Sequence, residues 1–382
     1  MNNIEELRRN GVVVRDPDSF FALLRGGLWE RAVSLGAYGP LDYDELLRLG
    51  EEQSVLGLVT AGLEQVWDVP VAKKDVVPLL QRVIAVENRN SALNEFVASL
   101  FKRLQEVGIQ AVLVKGQGIA QCYARPQWRA PGDVDLLLSA DDYEKAKALL
   151  TPLASSVDEE EAWRKHLGIT MDDWVVELHG TLRSGHHPRV NRALDQIQEE
   201  LFASRSFRYW SVGGCEVPLP GADADVVFVF CHILQHFFFG GIGLRQICDW
   251  CRLLWTCQDS IDPGVLILRL RQMRLLSEWK VFAALAVEYL GMPRDAMPFY
   301  SAAPRWSRKA RRLMRFVLLT GNFGHNRDTS YMDRYPYVVR KLISLWDGVK
   351  YAWKRLPIFP LDATSRFFHF LFHGTGAVMK GK

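Results

Sequence analysis

The sequence predicts an α+β protein, a small mixed β-sheet embedded in a mostly helical scaffold, and three observations carry that reading. Apolar residues recur three and four apart over much of residues 18–106, the period of a helix. After Gly108 the period changes to short β-branched runs, Gln110–Val114, Val134–Leu138 and Trp174–Leu178. From Asp223 onward the helical spacing returns and stays. The boundaries expected are a helical region over 1–107, an α/β core over 108–220 and a second helical region over 221–382.

Each element has its own signal. Tyr43, Leu46 and Leu47 share one helical face, and Ala72–Val107 is a long amphipathic stretch stopped by Gly108. The run QAVLV at Gln110–Val114 lies between Gly108 and Gly116 and reads as a strand, with a short helix over Gly118–Tyr123. Pro126–Gly132 is a turn-rich loop containing Arg129. Val134–Leu138 reads as a second strand, Ala140–Leu150 as a helix and Trp174–Leu178 as a third strand. Phe207–Val212 and Glu216–Leu219 suit a hairpin around Gly213-Gly214. Helices are predicted over 223–238, 243–257, 263–275, 277–290, 304–319 and 335–353.

The 382 residues are enough for two or three domains at about 150 residues each. Hydrophobic residues at 48% and charged residues at 24% exclude a disordered chain, a collagen-like repeat and a small disulfide scaffold. A net charge of +3 argues against a protein dedicated to coating nucleic acid. The start MNNIEELRRNG lacks the apolar core of a signal peptide, so the six cysteines are expected as reduced thiols of a cytoplasmic protein. Cys248-x-x-Cys251 has half the spacing of a zinc site, but it lies among Ile247, Trp250, Leu253 and Leu254 and reads as core. Val226–Gly241 is too short to span a bilayer and reads as a buried helix. Arg366–Val378, aromatic and followed by Lys380 and Lys382, is read as a helix docked on the core rather than on a membrane.

The chemistry concentrates in Val112–Leu138. Asp133 and Asp135 are two apart on a strand and so face the same way. Two carboxylates that close repel unless a cation lies between them, and hard oxygen ligands suit Mg²⁺ or Mn²⁺. Glu177 on the next strand would add a third carboxylate, enough to hold two ions that clamp the attacking and leaving oxygens of a phosphoryl displacement. Upstream, Lys115-Gly116-Gln117-Gly118 joins a strand to a helix, where glycines let backbone approach phosphate. Lys115 and Arg129 are the nearest cations for triphosphate charge, and Tyr123 can close one side of the pocket. Taken singly, a DxD is usually a solvated strand end and a KGxG a tight turn; their combination points to a shared anion and metal site.

This order of motifs resembles the polymerase-beta-type nucleotidyltransferase superfamily, and more narrowly a bacterial family of uncharacterised nucleotidyltransferases. The residues that carry the resemblance are Lys115, Gly116, Ala120, Tyr123, Arg129, Gly132, Asp133, Val134, Asp135 and Leu136, then Glu177, Leu178 and His179, then His232, His236, Arg245 and Asp249. The resemblance implies transfer of a nucleoside monophosphate from an NTP to an acceptor hydroxyl, with pyrophosphate released. Asp133, Asp135 and Glu177 would bind metal, Glu177 would assist deprotonation of the acceptor, and Gly116, Gln117 and Gly118 would cradle the triphosphate. Gln117 stands where the superfamily commonly has serine, Glu177 where it commonly has aspartate, and the stretch from Gly116 to Asp133 is longer than in many relatives. The acceptor suggested is a small molecule, a sugar or a peptide.

His179 suits a supporting or a direct role equally. His232 and His236 are four apart on one helix face; packed, hydrogen-bonded histidines near Arg245 or Asp249 are favoured over a metal pair. Arg305, Arg308, Lys309, Arg311, Arg312 and Arg315, with Trp306 and Phe316, read first as a solvated helix. A nucleic-acid face on that run is the weaker expectation. The alternative to an enzyme is a nucleotide-binding regulatory or antitoxin-like module that keeps the fold without turnover. A third reading, modification of a protein or a tRNA end, rests only on that basic run.

Overall fold

The computed structural model describes residues 17–322 and 355–359. The predicted helix over 335–353 and the segment Arg366–Val378 lie outside the described residues.

Three short helices come first among the described residues: α1 (Pro17–Trp29), α2 (Tyr43–Glu52) and α3 (Leu56–Glu64). Asp42 caps α2 by accepting the Glu45 N–H at 3.0 Å. α1 and α3 pack backbone against backbone. A Cβ on Gly27 would lie 1.9 Å from the Leu58 carbonyl oxygen, and one on Gly62 would lie 2.0 Å from that of Leu23. The long amphipathic stretch is one helix, α4 (Lys73–Glu106), which joins two cores. Its Leu79 and Val83 enter a helical core, and Leu93, Val97, Phe101 and Leu104 lie under the sheet.

The period change at Gly108 is real. β1 (Ala111–Val114), a five-residue α5 (Gly116–Ala120), β2 (Val134–Leu138), α6 (Ala140–Leu150), β3 (Ser156–Val157), β4 (His166–Met171) and β5 (Trp174–His179) follow. They form a mixed sheet of order β1-β2-β5-β4-β3 in which only β2 and β5 run parallel. β1, β2 and β5 match the strands that the sequence predicts, whereas β3 and β4 have no predicted counterpart. β4 and β5 make a hairpin about Asp172-Asp173, so β4 is set wherever β5 is. Leu136 and Leu138 of β2 and Val176 and Leu178 of β5 are buried in the sheet core, which leaves the opposite face of these strands for polar groups.

α7 (Pro188–Ser204) leads to a hairpin of β6 (Phe207–Val212) and β7 (Cys215–Pro220). Gly213 and Gly214, at φ +55° and +70°, make the two-residue turn that needs positive φ twice. Among the described residues five α-helices follow: α8 (Ala222–Phe239), α9 (Leu244–Thr256), α10 (Pro263–Met273), α11 (Leu276–Glu288) and α12 (Pro304–Thr320). They share one core with α1–α3, and its centre is aromatic: Trp250 and Trp279 meet edge to face at 4.8 Å, with Phe230 at 5.4 and 4.9 Å from them. Many of the large rings that the sequence carries are thus spent on packing. All six cysteines are buried thiols, Cys248 and Cys251 among them. On α12, Arg305, Arg308, Arg311 and Arg312 are exposed while Trp306 and Phe316 are buried, so the aromatics do not share the basic face. Among the described residues no helix is long and apolar enough to cross a membrane.

The contact of α1 with α3 generates a test. Gly62→Ala forces a methyl group into the Leu23 carbonyl, which cannot step aside as a side chain can. A loss of about 1–3 kcal/mol in stability is expected from urea unfolding; an unchanged midpoint would show that the helices can part at no cost.

Candidate active site

One cavity of about 440 Å³ lies between the polar edge of the sheet and helices α8 and α9. That volume suits a small-molecule ligand. The sheet supplies its acidic wall. Asp135 of β2 and Glu177 of β5 are register partners on parallel strands, and both line the cavity. Asp133 lies one residue before β2, also on the lining, with its side chain reaching solvent. It has no ion-pair or hydrogen-bond partner among the described residues. Partial desolvation, then the charges of Asp135 and Glu177, raise its pKa.

Lys115, the residue that follows β1, pairs with Asp135 of β2. Its Nζ stands 2.5 Å from Asp135 Oδ1, and both side chains are largely buried. To reach there the chain turns sharply: Lys115 has φ +58° and Gly116 φ +39°. A Cβ on Gly116 would lie 3.1 Å from the Asp133 carbonyl oxygen, so both conformation and space call for glycine. A lysine at positive φ is strained, and its ion pair with Asp135 helps hold it.

Two imidazoles complete the acidic wall. His179 Nε2 stands 2.9 Å from Asp135 Oδ1 and 3.3 Å from Glu177 Oε2. His166 of β4, the register partner of His179, places its Nε2 3.3 Å from the same Glu177 Oε2. Burial pushes Glu177 up, but hydrogen bonds from His166 and His179, aided by the charge of Lys115, outweigh it and hold the carboxyl well below the usual range. Burial works against a charged His179, yet Asp135 and Glu177 prevail and raise its pKa. His166, Glu177 and His179 are the group of side chains at metal-ligand spacing among the described residues, with donor atoms all within 4.8 Å of one another.

The loop before Asp133 is clamped from three sides. Arg129 donates from Nε and Nη2 to the two Asp249 oxygens, each at 2.8 Å, and Tyr123 donates its hydroxyl to Asp249 Oδ1 at 2.7 Å. Arg245 donates from Nη1 to the carbonyls of Ala130 and Pro131 at 3.1 and 2.9 Å. Asn90 of α4 donates to the carbonyls of Gln127 and Arg129, each at 2.7 Å. Burial, then the neighbouring Arg129, pulls Arg245 down to about 10. Arg129, Arg245 and Asp249 line the cavity, whereas Tyr123 stands behind it.

The helical wall carries His232 and His236 of α8, whose Nε2 atoms are 2.9 Å apart. Burial, then Lys115, depresses both; His232 falls well below its ordinary value and His236 falls to about 4. Both rings are therefore neutral at pH 7.

Two residues of the expected cradle turn elsewhere. Gln117 donates from Nε2 to Asn94 Oδ1 at 2.6 Å on α4, and a Cβ on Gly118 would face Leu219 of β7 at 2.9 Å. Neither is on the cavity lining, whereas Lys115 and Gly116 are. Sequence reasoning missed His166, along with the lining residues Arg164 and Arg183. The signal for His166 was available: it and His179 stand equally far from the Asp172-Asp173 turn, as the two arms of a hairpin require.

The pattern of the family described as uncharacterised nucleotidyltransferase matches residues 39–291. The chain belongs to that family. No curated protein matches it. Membership supports nucleotidyl transfer as the general activity and NTP as the substrate class. The match takes in both walls of the cavity, from α2 to the end of α11, and leaves α1 and α12 outside.

The buried clamp predicts a large effect. Asp249→Ala strands the Arg129 guanidinium without its counter-ion and should cost about 3–5 kcal/mol in chemical denaturation. The helical wall predicts a pH effect. Because folding lowers the His236 pKa to about 4, the unfolded chain takes up the proton first. Stability from this group is complete above about pH 6.5 and is lost as pH falls toward 4. NMR titration should find the ring neutral down to that range, and His236→Gln should flatten the acid limb of the stability curve.

Proposed function

We propose that the protein transfers a nucleoside monophosphate from an NTP to an acceptor hydroxyl and releases pyrophosphate. The observation that carries this reading is the meeting of Asp133, Asp135 and Glu177 on one cavity with Lys115 and Gly116, in a chain of this family. The donor set fits a divalent cation: three carboxylates crowd together, and Asp133 has no partner among the described residues while its neighbours raise its pKa. Asp133, Asp135 and Glu177 would hold Mg²⁺ or Mn²⁺, which when bound offsets charge on the triphosphate and on the departing pyrophosphate.

The chain's own groups do the rest. Lys115, a point charge on a flexible stem, moves from Asp135 to a phosphate oxygen. Gly116 lets that oxygen approach the backbone. The acceptor oxygen bonds to the α-phosphorus, and the bond from that phosphorus to the pyrophosphate oxygen breaks. Glu177, held ionised by His166 and His179, is a good cation ligand and a weak base. The hydroxyl proton passes to water in the cavity, because burial makes His232 and His236 poor bases as well. Arg129, Arg245 and Asp249 keep the Asp133 loop in place.

The cavity volume favours a small molecule, a sugar or a peptide end as acceptor. A nucleic-acid acceptor is not favoured, since Trp306 and Phe316 are buried away from the basic face of α12. One observation favours a nucleotide-binding module without turnover: the Gln117 amide is buried against Asn94 and offers no hydroxyl to phosphate. The buried thiols accord with a cytoplasmic setting.

Labelled NTPs with Mg²⁺ or Mn²⁺ and a panel of acceptors separate the two readings. Transfer should appear as pyrophosphate release that Asp135→Asn reduces by at least about a hundredfold. Tight NTP binding with no release over the whole panel would establish the module instead.

A further inference from the structure

The imidazoles beside the acidic wall carry an inference of their own. We propose that His166, His179 and Glu177, joined by Asp135, form a mixed nitrogen and oxygen site for a divalent transition-metal ion, set beside an oxygen-only position at Asp133. Two ligand atoms each about 2.1 Å from one ion stand about 3.0 Å apart at a right angle and about 3.4 Å apart at the tetrahedral angle. The donor atoms form a chain with that spacing: Asp135 Oδ1 to His179 Nε2 is 2.9 Å, and Glu177 Oε2 is 3.3 Å from the Nε2 of both His179 and His166. The two rings lie with centroids 4.8 Å apart, and they present the same nitrogen to the same oxygen. Without an ion, Nε2 protons fill this gap; an ion would replace them.

The type of donor sets the type of ion. Imidazole binds Mn²⁺, Fe²⁺ or Zn²⁺ far better than Mg²⁺, which prefers oxygen and keeps its water. The surroundings bear on loading. His166 Nδ1 is 3.4 Å from Arg164 Nη2, which can only donate to it, and 3.8 Å from Glu161 Oε1; loading at Nε2 puts the remaining proton on Nδ1, so Arg164 must give way and Glu161 must close in as the acceptor. Lys115 holds Asp135 Oδ1 and must release it when the ion arrives. The site shares Asp135 and Glu177 with the transfer reading and rests on that reading for the use of the ion, not for its binding.

The test uses the full chain with Mn²⁺ alone, without nucleotide. Titration followed by the loss of the free-ion EPR signal gives affinity, and spin-echo modulation reports nitrogen bound to the ion. One ion with imidazole nitrogen coupling is expected, retained against a large excess of Mg²⁺. His166→Ala should weaken binding at least about tenfold and remove part of the nitrogen modulation. His166→Gln, which keeps a polar group at the position, should do the same, and circular dichroism shows whether either variant is folded. An oxygen-only spectrum, no binding, ready displacement by Mg²⁺, or modulation unchanged in both variants would overturn the proposal. Pyrophosphate release with Mg²⁺ is scored separately, so the transfer reading can survive when this one fails.

Discussion

The structure around the cavity depends on one electrostatic constraint: Asp135 and Glu177 are paired in register on adjacent parallel strands, with Asp133 two residues from the first. Like charges so placed are destabilising unless a cation joins them. Within the protein that cation is Lys115, drawn through a strained turn that only a following glycine permits, and the nearby imidazole of His179 shares the work. The strain at Lys115 and the charge at Asp135 therefore answer each other. Removing either would leave the other without its reason. On the proposed reading, a divalent ion would replace both the ammonium and the shared protons in relieving the same crowding.

The two helical regions serve that wall at a distance. They share a single core, so α1–α3 and α8–α12 pack as one body against the sheet. α4 ties this body to the sheet core through its two buried ends and, midway, uses Asn90 to hold the loop that precedes Asp133. α9 reaches the same loop from the other side with Arg245 and Asp249. The Arg129–Asp249 pair illustrates how a buried ion pair fixes a conformation. Its net stabilisation is modest when intact, but its loss is expensive, so the loop has one low-energy arrangement. α8 then lays His232 and His236 across from the carboxylates, where burial keeps them neutral.

Much of this was legible from the residues in order. The period change at Gly108 located the sheet, the spacing of Asp133 and Asp135 put two carboxylates on one face, and Glu177 on a later strand suggested a third. The Gly213-Gly214 pair specified the hairpin turn outright, because only glycine takes positive φ twice without cost. β4 escaped because HLGITM alternates weakly and contains a glycine, so its pairing, not its own propensity, makes it a strand. His166 escaped with it. The sequence pattern groups Gln117 and Gly118 with Gly116 as one cradle, but a helix of five residues rotates each successive side chain by about a quarter turn. That rotation sends Gln117 to α4 and Gly118 to β7.

The sequence alone determined what is local and periodic: the helical scaffold, the β-rich middle, the glycine turn after β1 and the two aspartates on one side of a strand. Those follow from backbone preferences and from the alternation of side chains, which need no partner. Only the tertiary structure decided which strand neighbours which, that His166 and His179 share one oxygen of Glu177, and that Arg129 is committed to Asp249. Such meetings depend on strand register and helix docking, which are set by the fit of whole surfaces and leave no mark at any single position in the chain.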